Sequence, residues 1–370
     1  MKINIRAFSI FFLAAALALS AITVAPVTPA YASAFVVNSL NDVDDGTCNG
    51  THCSLREAIN AATFVGSNDI ITFSVSGTIY LSSILPTIYS DGTLTIDGGN
   101  TITISGDTNM TGAGDVQIFS VFNGGNLTLQ NITLTKGMNS VSSGGAVTNQ
   151  GILTINNSII SDSATTAVSS GGGAVSSETG SAVLTITNST FSDNTTAYLG
   201  APFLTLAAAQ PPYQTPHLLE IWPSAVTAAQ SIIAVQPLLF PDSVFSGNIA
   251  FDNAGAIINQ VGSGTFTISG STFIDNQANF AGAIMASNGN AEISNSTFSN
   301  NSAVNDAGAI YFTGSGSLNI SNSTFSENST ISSRGGAIFS FGSVSLTNVT
   351  LSRIQPPTAM AAAFKSITIR

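Results

Sequence analysis

Along most of this chain the apolar residues come in alternations of three to five residues, broken by Gly, Ser and Asn. A period of two predicts strands rather than helices. One set runs Gly336 to Ile338, then Val344-Ser345-Leu346, then Val349-Thr350-Leu351. The set recurs. A Gly-Ala-Ile triplet begins at Gly255, Gly282, Gly308 and Gly336, in steps of 27, 26 and 28 residues, and Gly-Ala-Val begins at Gly145 and Gly173, 28 apart. A second marker, Phe-x-x-Asn, begins at Phe191, Phe245, Phe273, Phe298 and Phe325, in steps of 54, 28, 25 and 27.

Three short strands and three turns in about 27 residues cannot bury their own apolar face. Stacked coils can, each strand pairing in parallel with the next at about 4.8 Å. The pattern therefore predicts an all-β chain, a right-handed single-stranded parallel β-helix with three sheets. Phe191, Phe245, Phe273, Phe298 and Phe325 are expected to form an aromatic ladder. Asn194, Asn248, Asn276, Asn301 and Asn328 should form a matching turn ladder that satisfies backbone groups at the corners. The recurring Gly suits a corner needing positive φ. A leucine-rich repeat shares the period, but its Leu-x-x-Leu-x-Leu-x-x-Asn signature is absent.

The N-terminal part differs. Ser54-Leu55-Arg56-Glu57 has capping-box spacing and opens a run through Ala58, Ile59, Ala61 and Ala62, which predicts one short helix covering the first coil. From Ile70 to Ile104 the alternation is strand-like, so the solenoid is expected to start near residue 70. Before the cap, Lys2 and Arg6, the apolar run Ala7 to Ala25 and Ala32-Ser33-Ala34 read as a secretory signal over 1–34. An uncleaved membrane anchor is the competing reading.

These residues carry a resemblance. Cys53-Ser54-Leu55-Arg56-Glu57-Ala58-Ile59-Asn60-Ala61-Ala62 resembles the N-terminal module named for its Cys-Ser-Leu-Arg-Glu-Ala signature, found ahead of β-helical repeats in exported bacterial proteins. The Gly-Gly-Ala-Ile and Phe-x-x-Asn pairs resemble repeats of the polymorphic outer membrane proteins. Together these cover most of residues 35 to 350. The resemblance implies a pectin-lyase-like β-helix at the cell surface, often adhesive, and no particular chemistry. Outer-membrane members end in a β-barrel, and nothing barrel-like follows the repeats in this sequence.

Two stretches lack the repeat's texture. Residues 199–243 turn to Pro, Ala and Leu, with Trp222 and His217, yet the step from Phe191 to Phe245 is 54 residues, two whole coils, as though nothing had been added. Leu199-Gly200-Ala201-Pro202-Phe203 can be encoded so that a shift of two bases restores Gly-Gly-Ala-Ile where that motif is due. Met360 to Phe364 in the tail, 353–370, behaves alike. We therefore expect a compensated pair of frameshifts across 199–243 and an uncompensated one after Ser352, and both stretches to be irregular.

Composition narrows the chemistry. Only 7% of residues are charged, so solubility rests on hydroxyls and amides. With the signal removed the net charge would be 6 − 19 = −13, which repels nucleic acid and anionic membranes. Cys48 and Cys53 lie close together, and export makes a disulfide the leading reading; a two-thiol metal site is weaker, with His52 the only nearby partner. A polysaccharide lyase needs a base and fixed positive charge in one place. The body and cap offer Arg56, Lys136 and Arg334, widely separated. A hydrolase needs two carboxylates about 5–10 Å apart. Asp193 and Asp275, three coils apart by spacing, should be about 14 Å apart, and Asp275 and Glu327, two coils apart, about 10 Å. Asp42, Asp44, Asp45 and Gly46 read as an acidic turn rather than a calcium loop. Asn-x-Ser/Thr triplets at Asn188, Asn295 and Asn322 recur because the repeat contains them.

The expectation is an exported surface or extracellular module, structural or adhesive, with no catalytic, cofactor or metal-binding residues. Its ligand would be a glycan or protein, with no nucleic acid and no membrane span after signal cleavage. A polysaccharide-active or carbohydrate-binding β-helix is the alternative.

Overall fold

The computed structural model describes residues 33–62, 68–89, 92–167, 171–177, 182–196, 232–234, 238–259, 265–287, 289–314, 316–332, 334–355 and 367–369. Nearly all of the expected signal segment, and most of 199–243 and of the tail after 355, lie outside them.

The chain is a parallel β-solenoid. Each regular coil visits four sheets in turn: Ile257–Asn259 in sheet 4, Thr265–Ser269 in sheet 1, Thr272–Ile274 in sheet 2 and Gln277–Ala278 in sheet 3, before Ile284–Ala286 returns to sheet 4. Among the described residues sheets 1 to 4 hold 12, 10, 7 and 8 strands. Three sheets were expected. The additional one consists of two-residue strands such as Thr195–Thr196 and Ser302–Ala303, too short for an alternation to show in sequence.

The first described strand, Ala34–Val37, pairs with Asp69–Phe73 in sheet 1, so among the described residues the solenoid is already present at residue 34 instead of starting near 70, and the cap is part of that turn. Helix α1, Leu55–Ala62, buries Leu55, Ala58, Ile59 and Ala62 against the same core as Val37 and Ile71. Its start is fixed reciprocally: the Ser54 N–H donates to Glu57 Oε2 at 2.8 Å and the Glu57 N–H to Ser54 Oγ at 3.2 Å.

The 54-residue step has a different meaning from its arithmetic. Phe191 pairs in register with Phe245, Leu184 with Leu238 and Val175 with Ile232. The stack rises by one rung while the chain runs on by two periods. The described strands that end at Thr196 and those that begin at Ile232 are thus neighbouring rungs, where spacing was read as two whole coils with nothing added. In sequence that stretch lacks the Phe-x-x-Asn and Gly-Ala-Ile markers, whereas Phe191 and Phe245 on either side carry the first and stack. The expectation of irregular structure is also corrected at the ends of both aberrant stretches. Ile232–Ala234 and Leu238–Pro241 take regular places in sheets 4 and 1, and Ile367–Ile369 pairs with the strand at Val344–Leu346.

Inside, the five Phe rings form one column, fully buried, with centroids 5.4, 4.8, 4.7 and 4.6 Å apart in chain order and nearly parallel beyond the first pair. Asn194, Asn248, Asn276, Asn301 and Asn328 stand beside it, also fully buried. Each of the first four donates from Nδ2 to the Oδ1 of the next Asn, and Asn248 to Asn328 donate also to the carbonyl of a ladder Phe, as Asn276 does to Phe245. A serine ladder lines the preceding corner. The N–H groups of Ser158, Ser189, Ser243, Ser271 and Ser296 each donate to the hydroxyl of the next serine along, ending at Ser323. Ser189, Ser296 and Ser323 are the middle residues of Asn-x-Ser/Thr triplets. Their Asn188, Asn295 and Asn322 sit at positive φ and make the corner. The Gly of Gly-Ala-Ile, in contrast, is not at positive φ. At Gly255, Gly282 and Gly308 a Cβ would overlap the carbonyl oxygen of the glycine one rung on, so close approach of rungs selects glycine there.

Candidate binding surface

Sheet 2 faces solvent with two columns. One carries Thr190, Val244, Thr272, Thr297, Thr324 and Thr350, the other Ser192, Ser246, Ile274, Ser299, Ser326 and Ser352. Both follow from Thr-Phe-Ser strands whose Phe points inward.

Sheet 4 differs along its length. Its outward column reads Ser120, Thr148 and Ser176 in the early coils, then Ile258, Met285, Tyr311 and Phe339. Ile258 joins Ala254 and Ala281 in an apolar cluster outside the main core, with Met285 and Tyr311 packed on it. Tyr311 lies 6.3 Å from Phe280, 5.2 Å from Phe339 and 6.3 Å from Phe341, and Phe341 meets Phe339 edge-on at 5.1 Å. The Arg334 guanidinium sits 4.4 Å from the Phe339 centroid and grips buried Asp306 through Nε and Nη2, each at 3.2 Å. Burial raises the Tyr311 phenol, Asp306 adds to that, and Arg334 opposes it. Phe341 is exposed. Sequence reasoning missed this face. The only signal was an aromatic directly after Gly-Ala-Ile, at Tyr311 and Phe339.

Each described cation has an acidic partner. Arg56 binds Asp42 through Nε and Nη2, at 3.1 and 2.7 Å, and donates to the carbonyls of Ser83 and Ile84. Lys136 lies 3.4 Å from Asp107, Arg334 pairs with Asp306, and Arg353 lies 2.7 Å from Glu327.

The third position of Phe-x-x-Asn forms an outward corner column: Lys136, Asp162, Asp193, Gly247, Asp275, Asn300, Glu327 and Arg353, all at positive φ. Asp193 and Asp275 are therefore separated by one intervening rung, not two as counted from sequence, and stand about 10 Å apart at strand spacing. The neighbours engage the later two carboxylates: Asn300 donates to Asp275, and Arg353 to Glu327.

In the cap, Cys48 and Cys53 are joined by a disulfide. His52 directs Nδ1 toward Asp45 Oδ2 at 3.2 Å and Glu57 Oε2 at 3.1 Å. Burial works to raise the Glu57 carboxyl, but the N–H groups of Ser54 and Asp45, with His52 adjacent, outweigh it and hold it down at about 2. No helix among the described residues is long and apolar enough to cross a membrane.

No curated protein matches the chain in sequence. Similar solved structures include a polygalacturonase from Erwinia carotovora ssp. carotovora, at 10% identity over 95% of this chain and 99% of its own, with a TM-score of 0.38. The A-module of the mannuronan C-5 epimerase AlgE6 from Azotobacter vinelandii is 12% identical over 90% of this chain and 98% of its own, TM-score 0.30. PfbA, a surface adhesin of Streptococcus pneumoniae, is 12% identical over 90% and 93%, TM-score 0.28. In sequence, the model of the Chlamydia polymorphic membrane protein repeat matches residues 295–313 and 322–340. Each matched segment runs from the Asn-Ser-Thr corner through Phe-x-x-Asn to Gly-Ala-Ile, so two coils of this parallel β-helix match the Chlamydia polymorphic membrane protein repeat.

Proposed function

We propose that the chain is a cell-surface binding module, structural or adhesive, without catalytic activity, and that it engages a neutral glycan through the outer face of sheet 4. The observation that carries this reading is exposed Phe341 packed on buried Phe339 and part-buried Tyr311, an aromatic cluster outside the main core. Aromatic faces suit the apolar faces of sugar rings, and Ser and Thr columns suit their hydroxyls. A net charge of −11 disfavours polyanions. The ion pairing of the four described cations speaks against β-elimination, which needs a free base beside the sugar proton. Surface exposure of the repeats it resembles supports an envelope location.

The test is a neutral glycan array probed with the purified chain, followed by titration of the Tyr311→Ala and Phe341→Ala variants. Binding weakened about tenfold or more by either is expected. Unchanged binding would remove sheet 4 from the reading, and capture of proteins with no glycan bound would redirect it to a protein ligand. The alternative, a polysaccharide-active β-helix, gains one observation: the two-rung spacing of both Asp193–Asp275 and Asp275–Glu327 reaches the edge of the inverting range. Release of reducing ends that Asp275→Ala abolishes would establish it.

A further inference from the structure

We propose that Asp45, His52 and Glu57 form a divalent-cation site of the zinc class, tying the acidic loop after residue 41 to the start of α1. The inference is independent of the glycan reading. It begins at the far side of the imidazole. His52 Nε2 lies 3.0 Å from Asn41 Oδ1, an oxygen that also accepts the Val43 N–H. That oxygen can only accept, so the ring spends a proton on Nε2. Nδ1, on the other side of the ring, faces two carboxylate oxygens at 3.2 and 3.1 Å.

Nothing in the protein resolves this convergence. Nδ1 is a buried atom without a hydrogen-bond partner of adequate geometry, although two acceptors stand within reach. Glu57 is almost wholly buried and anchored by the N–H groups of Ser54 and Asp45 at 2.8 and 2.7 Å, so it remains charged and fixed in place. One ligand atom from each of the three residues lies within 4.8 Å of the others. Three ligand-type atoms gathered around one point form a place where a cation can be held.

The donor set selects the ion. One imidazole nitrogen with carboxylate oxygens is a zinc set, whereas calcium and magnesium prefer oxygen alone. Asn41 occupies the place of the outer partner that fixes the tautomer of a metal-bound histidine. The two thiols are consumed by the Cys48–Cys53 bond, which closes the turn carrying His52. The Asp45 side chain is 51% exposed, which gives an ion a route in and leaves a coordination position toward solvent.

The experiment is calorimetric titration of the oxidised, chelator-treated full chain with Zn²⁺, with the His52 ring followed by nitrogen NMR. One equivalent should bind, shifting Nδ1 and leaving Nε2–H in place. H52A should abolish uptake, and N41A should weaken it about 10- to 100-fold. D45N, altering a half-exposed side chain, serves if H52A perturbs folding, and should weaken uptake by at least about tenfold. Three results would overturn the proposal: uptake unchanged in D45N and H52A, an Nδ1 that keeps a proton under saturating zinc, or tighter binding of Ca²⁺ than of Zn²⁺.

Discussion

The coils up to Thr165 and those from Phe191 onward solve one problem in two ways. In sheet 2 the early coils fill the interior column with Ile104, Leu134 and Ile160, and the later ones with Phe245, Phe273, Phe298 and Phe325. At the next corner the early coils use Gly137 and Ser163, the later ones buried Asn. The early coils add individual polar staples. Asp97 accepts from Gln130, Asn131 and the Gly99 N–H, and Asp107 from Thr111 and Gly112 with Lys136 beside it. The difference teaches that a β-helix can be held by repeating ladders or by separate local bonds. A ladder member interacts with both neighbours, so its loss is felt on three rungs; a staple is felt on two.

The largest expected effect is therefore in the ring column. Phe298→Ala should cost about 3–5 kcal/mol from area and cavity, plus two stacked contacts of about 0.5–1.5 kcal/mol each. Ile160→Leu, conserving volume in an aliphatic rung, should cost less than about 1.5 kcal/mol. Urea unfolding with amide exchange resolved along the chain would check both, and equal losses would erase the distinction between the halves.

Next is the corner. Asn301→Ala strands the main-chain and side-chain donors of Asn276 and the carbonyl of Phe273, at about 1–3 kcal/mol for each group left unsatisfied. Ser163→Ala strands chiefly the Gly137 N–H, a single such loss. If the two variants lose equal stability, the Asn column is not acting as a ladder.

The coil architecture was legible because a period near 27 with two markers leaves few folds that bury every strand. The Phe and Asn columns follow from one recurrence, Phe-x-x-Asn, whose members repeat by position. Other features were hidden for identifiable reasons. The 54-residue step counts residues, and only pairing shows that Phe191 rests directly on Phe245. Ser189 and Ser296 belong to triplets that invite a glycosylation reading, though their hydroxyls are corner acceptors. His52 was weighed against the thiols next to it in sequence, while its neighbours in space are Asp45 and Glu57. Tyr311 and Phe339 look like core residues until the strand's middle position is seen to face outward.

Acid should separate the halves more gently. Glu57 is lowered from 4.5 to about 2, and Asp97 and Asp107 are lowered from 3.8, the hydrogen bonds to each outweighing a burial effect that acts upward. A lowered folded-state value means the contribution is fully present above the ordinary value and is lost as pH falls through the folded one. All three groups lie before residue 196. Between about pH 4.5 and 2, amide protection should fall in the cap and early coils before it falls in the ladder coils. Loss beginning after residue 238 would contradict the division.

The smallest effect is expected where the later coils do carry a charge pair, at Glu327 and Arg353. Their side chains are 49% and 80% exposed, so solvent screens the attraction and coupling should stay within about 0.2–1 kcal/mol. A second term acts in the opposite direction. Glu327 has φ 58, a left-handed conformation that costs most residues roughly 1–2 kcal/mol but that Asn and Asp visit more readily. The equivalent positions in the preceding coils hold Asp193, Gly247, Asp275 and Asn300, all suited to it. Glu327→Asn thus gives up a screened ion pair and gains backbone ease, and should leave stability unchanged within about 0.5 kcal/mol or raise it slightly. Arg353→Met, which breaks the same pair without the backbone gain, should be neutral to slightly destabilising. A double-mutant cycle at the two positions decides the matter. Coupling above about 1.5 kcal/mol would show that exposed charge, and not only the Arg334–Asp306 pair, staples the later coils, and the contrast between ladder and staple would then be one of sequence rather than of energy.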